Sequence, residues 1–126
     1  MKNPKLYLAI ACVVGLAACS QKQEVQVASY AKDVEPILAK NCKECHVPGG
    51  TGLEKSGLDL TSYDALMKGT KFGPIIKPGD PLTSTLVMLV EGRADPSLRM
   101  PHGKEKLLDA DIAKIRAWVE QGAKNN

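Results

Sequence analysis

Cys42-Lys43-Glu44-Cys45-His46 constrains this chain more than any other stretch: two thiols one turn apart, with an imidazole directly after the second. That run is the attachment signature of a c-type haem. The thiols can add to the two vinyl groups of one haem as thioethers, and the imidazole then serves the iron as its proximal ligand. The spacing has a geometric reason, since a single helical turn brings Cys42 and Cys45 to the same side of the backbone. Three other readings compete. A thioredoxin-like pair needs a βαβ context, and no such pattern is visible. A zinc site would have to recruit His102, far from the usual ligand spacing, and His46 follows Cys45 too closely to share its metal. The third is a chance cluster in a chain of only four cysteines.

The beginning of the chain reads as an export signal, residues 1–18, and not as part of a fold. Lys2 and Lys5 form a positive start, and Leu6–Leu16 (LYLAIACVVGL) is an apolar stretch too short to span a bilayer permanently. Leu16-Ala17-Ala18-Cys19 resembles the lipobox of bacterial lipoprotein precursors, which implies a lipid-bearing Cys19 as the first mature residue. An ordinary secretory signal is the alternative. Several acyl chains give a stable membrane anchor where one would not. Ser20 resembles the sorting residue of lipoproteins sent to the outer membrane. The expected location is therefore the periplasmic face of a bacterial membrane, the outer one favoured. Cys12 leaves with the signal, Cys19 takes lipid, and Cys42 and Cys45 take haem, so no thiol remains for a disulfide.

Residues 19–29 read as a flexible tether, polar and Gln-rich without helical periodicity. Residues 30–126 are one domain, too small for two cores. Its aromatics are Tyr30, Tyr63, Phe72 and Trp118, thin for a self-sufficient core, and a bound haem would add the missing apolar bulk. Removing Lys2 and Lys5 takes the 17 basic residues to 15 against 14 acidic ones. With no basic stripe, nucleic acid is not indicated.

Apolar periodicity predicts an all-α domain of about four helices. The first has Asp33 as N-cap, Pro36 in its opening turn, and Val34, Ile37 and Leu38 on one face. The second runs through Thr61–Met67 and stops before Gly69. Asp80-Pro81 opens the third, lined by Leu82, Leu86, Leu89 and Val90 until Gly92. Asp109 caps the fourth, with Ile112, Ile115, Trp118 and Val119 on adjoining turns and Gly122 ending it. The stretches around Pro48–Gly52, Lys71–Pro74, Lys77–Gly79 and Met100–Gly103 read as loops.

For the second iron ligand the candidates are Met67, Met88, Met100 and His102. Methionines within helices are more often core filling. Met100 lies in a loop stiffened by Pro101, where ligation costs little entropy; the competing reading is a loop methionine that covers the haem edge.

Five stretches together are similar to the small class I c-type cytochromes. They are Asp33–Leu38 (DVEPIL) ahead of the thiol pair, Ser56–Met67 (SGLDLTSYDALM), Gly73–Pro81 (GPIIKPGDP), Arg99–Gly103 (RMPHG) and Leu108–Trp118 (LDADIAKIRAW). The resemblance implies a cytochrome c-like fold wrapped around one covalent haem c, and Met100 as distal ligand. It also implies that the first and last helices cross over the haem edge. His102 departs from the family pattern, which usually has a second proline or another non-ligand there, and is the alternative ligand. The implied function is a non-enzymatic electron carrier that meets redox partner proteins at its haem edge, with no small-molecule substrate at iron. A gas- or peroxide-binding protein with an open distal site, and a fixed haem subunit of a larger complex, are the competing classes. Lys71, Arg93 and Arg99 are unranked candidates for propionate contacts.

Overall fold

Ser29 caps the first helical turn in both directions. Its hydroxyl accepts from the Lys32 amide, and its own amide donates to the Asp33 carboxylate at 2.8 Å. Asp33 is thus the reciprocal partner of the cap and not the cap itself; the helix begins earlier than its apolar spacing predicts. The first turn, Tyr30–Val34, is a π-turn, with Val34 N–H bonded to Ser29 O and Glu35 N–H to Tyr30 O. Pro36 accounts for it: proline lacks an N–H and crowds the carbonyl four residues back, which a wider turn relieves.

The computed structural model describes residues 26–126. Five helices follow one another: α1 (Glu35–Asn41), α2 (Thr51–Ser56), α3 (Tyr63–Lys68), α4 (Thr85–Glu91) and α5 (Asp109–Glu120), with a 3-10 turn at Pro96–Leu98. No strand occurs among the described residues, so the all-α expectation holds. Ser62 caps α3 through its hydroxyl, and Gly69 ends it. α5 runs as its periodicity predicts and buries Ile112, Ile115, Trp118 and Val119, but Asp109 is its first helical residue and not its cap. Leu108 stands at the cap without a side-chain bond, and the Asp109 carboxylate accepts from Lys106 Nζ instead.

Two expectations are corrected. α2 lies where a loop was expected, because six residues are too few to show a period and Gly50 supplies no capping side chain. α4 begins at Thr85, not at Asp80-Pro81. Asp80 instead closes a turn, accepting from the Thr83 amide and hydroxyl and from Lys77 Nζ. The buried Ser84 hydroxyl donates to Asp80 O and accepts from the Lys77 amide, which locks that turn to the helix start. Leu82, expected on a helix face, is consequently 62% exposed.

The core joins the ends of the domain. The π-turn packs on α5, and α5 packs on α4. Tyr30, Tyr63 and Trp118 form one aromatic cluster, with ring centroids 5.1, 5.5 and 6.4 Å apart. The polar ends of two of these rings are satisfied by the turn after α5: Tyr63 Oη donates to Ala123 O and Trp118 Nε1 to Lys124 O. Gln26–Ser29, assigned to the tether by composition, lie against the same end. Gln121 bonds Gln26 and Ala28, and Asn126 bonds Ala28, Ser29 and Tyr30.

Candidate haem-binding site

The thiol pair sits on a turn that continues from the end of α1. Cys42 N–H still bonds Leu38 O, and the amides of Cys45 and His46 both return to Cys42 O at 3.1 Å. Cys42 and Cys45 are therefore one turn apart, as their spacing predicts, and both carry free thiols. Cys42 packs against the core while Cys45 is exposed. Burial pushes the Cys42 thiol up to about 11, although Lys104 nearby pulls it down, so it stays protonated at neutral pH.

His46 is the buried member of the motif, at 8% exposure. Its Nδ1 lies 3.3 Å from Leu58 O. A carbonyl can only accept, so Nδ1 carries the hydrogen and Nε2 keeps its lone pair. Among the described residues nothing hydrogen-bonds Nε2, which is not itself a fully buried atom. The backbone then folds back over the motif: Leu53 N–H reaches Cys45 O and Leu60 N–H reaches His46 O. α2 passes so close that a Cβ on Gly52 would lie 2.8 Å from Cε1 and 2.9 Å from Nε2 of His46. Only glycine fits there.

Met100 follows α4 and the 3-10 turn, and its amide bonds Leu89 O. Its side chain packs against the core, whereas His102 two residues on is exposed. The loop returns to the thiol pair: Lys104 Nζ bonds the Glu44 carboxylate. That contact holds the Glu44 carboxyl below its usual range. The 99–104 loop and the Cys42–His46 turn therefore share one side of the molecule.

Residues 42–102, from the first motif thiol to His102, match the profile of the Planctomycete cytochrome C family. The chain carries a c-type cytochrome domain. Its cofactor class is accordingly haem c, and its function belongs with haem-based electron transfer. No curated protein and no solved structure matches the chain significantly.

The residues of this cytochrome domain fit such a group. Two thiols outside any disulfide, one turn apart, directly precede a buried imidazole whose Nε2 is oriented through the contact of Nδ1 with Leu58 O, and Gly52 leaves room for that imidazole ring. Of the remaining candidates, Met67 on α3 packs against the core, and Met88 on α4 is half-buried. Arg93 is committed to Glu91 and to the carbonyls of Pro81 and Leu82. Arg99 donates to Lys104 O, and Lys71 Nζ sits 5.2 Å above the exposed Phe72 ring. Cys12, Cys19 and the export segment lie outside the described residues. Gly52, the Leu58 carbonyl and the Glu44–Lys104 pair were not legible beforehand. Gly52 reads as turn glycine, a backbone acceptor has no side-chain signature, and the ion pair joins distant stretches.

Proposed function

We propose that this chain is a membrane-tethered monohaem c-type cytochrome that carries single electrons between redox proteins at the periplasmic face of a bacterial membrane. Cys42 and Cys45 hold the haem through thioethers, His46 Nε2 is the proximal ligand, and the Met100 sulfur is the distal one. When bound, the haem supplies a reversible one-electron couple. The observation that carries the reading is the oriented, buried His46 imidazole directly after two thiols one turn apart, on the side to which the Met100 loop returns.

The chain's own residues account for the rest. Leu58 and Gly52 fix the His46 ring, so its ligand nitrogen needs little rearrangement between oxidation states. A second protein ligand closes the iron to substrates, and His/Met ligation raises the reduction potential. Met100 is favoured over His102 because it faces the core while His102 faces solvent. Partners meet the exposed edge beside Cys45 through a small, transient interface. Lipid on Cys19 holds the domain at the membrane, the outer one favoured by Ser20.

Optical spectroscopy of the holoprotein tests the ligand set. The oxidised wild type and His102→Ala should show a methionine–iron charge-transfer band that Met100→Ala lacks. Reduced wild type should bind no carbon monoxide, and reduced Met100→Ala should bind it. Rapid carbon monoxide binding by the wild type at neutral pH would sink the carrier reading in favour of a gas- or peroxide-binding protein. Co-purification with a partner in constant ratio would point to a fixed subunit instead. Cys19→Ser should release the protein from the membrane fraction.

A further inference from the structure

Glu44 occupies one of the two variable positions inside the haem-attachment motif, and Lys104 lies four residues beyond Met100. Their side chains meet, Lys104 Nζ on Glu44 Oε2. Among the described residues this is the one side-chain bond between the 99–104 loop and the Cys42–His46 turn. The loop's other ties are to α4, through Met100 N–H to Leu89 O, to the 3-10 turn, through Arg99 N–H to Pro96 O, and to itself, through the Arg99 guanidinium to Lys104 O and Lys104 N–H to Pro101 O. None of those ties refers the loop to the proximal side. A thioether is a neutral, weak donor, and its hold on a metal depends on how often its loop swings away.

We propose that Glu44 and Lys104 form a clasp that positions the Met100 loop against the haem, so that a motif residue with no bond to the cofactor governs how firmly the distal ligand is held. The proposal rests on Met100 as that ligand. Arg99 serves the same clasp by closing the loop behind the Lys104 ammonium. The pair is half- to largely exposed, at 45% for Lys104 and 73% for Glu44. An exposed pair shifts an equilibrium by at most about fivefold, enough to set a ligand-release rate without deciding whether the domain folds.

The experiment is stopped-flow binding of imidazole to the oxidised, full-length holoprotein, where entry at the iron waits for Met100 to leave. Glu44→Gln and Lys104→Gln should each raise the entry rate roughly two- to fivefold, with the thermal midpoint nearly unmoved. The double variant should be no faster than either single one, since both remove the same contact. Exchanging the charges, Glu44→Lys with Lys104→Glu, should return the rate towards wild type. At about 1 M salt, where screening acts within ~3 Å, the wild type should approach the single variants. Unchanged entry rates in both single variants, or additive effects in the double one, overturn the clasp while leaving Met100 as ligand if the wild-type charge-transfer band is present. Absence of that band overturns the Met100 reading first, and the clasp with it.

Discussion

A hydrogen atom in place of a methyl group decides how His46 is held. Gly52 brings the α2 backbone onto the imidazole, and Leu58 O accepts a hydrogen bond from its Nδ1–H. Gly52→Ala should therefore act at a distance of one methyl. The ring must shift or α2 must retreat, at a cost of about 1–3 kcal/mol for an overpacked site. Denaturant unfolding of the holoprotein should show that loss, together with a changed haem absorption spectrum. A variant with unaltered stability and spectrum would mean that α2 yields freely. Neither contact was legible in the sequence: Gly52 looks like any turn glycine, and the acceptor is a main-chain atom. His46 itself was legible, because its chemistry is local to the motif.

Among elements, the start of α4 shows how a strong local signal can be satisfied by a different structure. Asp80-Pro81 has the chemistry of a cap and first helical residue, and Asp80 does accept the amide three residues on. The chain then turns, because Ser84 bonds back to Lys77 and Asp80 and defers the helix to Thr85. Bonds from Thr83 and Lys77 lower the Asp80 carboxyl to about 2 from its ordinary 3.8. A carboxyl depressed in the folded state stabilises above its unfolded value and loses that contribution as pH falls through the folded one. Part of the acid destabilisation between about pH 4 and pH 2 should therefore belong to Asp80. Asp80→Asn should be less stable than wild type at pH 5 and nearly equal at pH 2, in urea titrations followed by circular dichroism. Equal stabilities at pH 5 would remove Asp80 from the account. α5, with a full apolar period, and α3, with a hydroxyl before it and a glycine after it, were legible to within a residue or two; α2 was not, because it is as short as α3 and has no capping side chain to mark its start.

At the scale of the molecule, the two ends of the domain are sewn together around Trp118. The stretch 26–29 has a linker's composition, yet Gln121 and Asn126 pair its backbone. This seam lies at the far end of α5 from the Asp109 start. Gln121→Ala removes the acceptor of the Ala28 amide. At about 0.5–1.5 kcal/mol for one hydrogen bond, its hydrogen-exchange protection should fall roughly 2- to 10-fold, with the haem spectrum unaltered. Protection equal to wild type would mean that Asn126 alone carries the seam. The sequence by itself determined the Cys-x-x-Cys-His turn, the all-α class and the buried face of α5, because each depends on residues within a few turns of one another. Which backbone crowds His46, which side of the Met100 loop faces the core, and which lysine meets Glu44 were decided only by the tertiary structure. Those are contacts between stretches far apart in the chain, and their partners acquire meaning only once the core has brought them together.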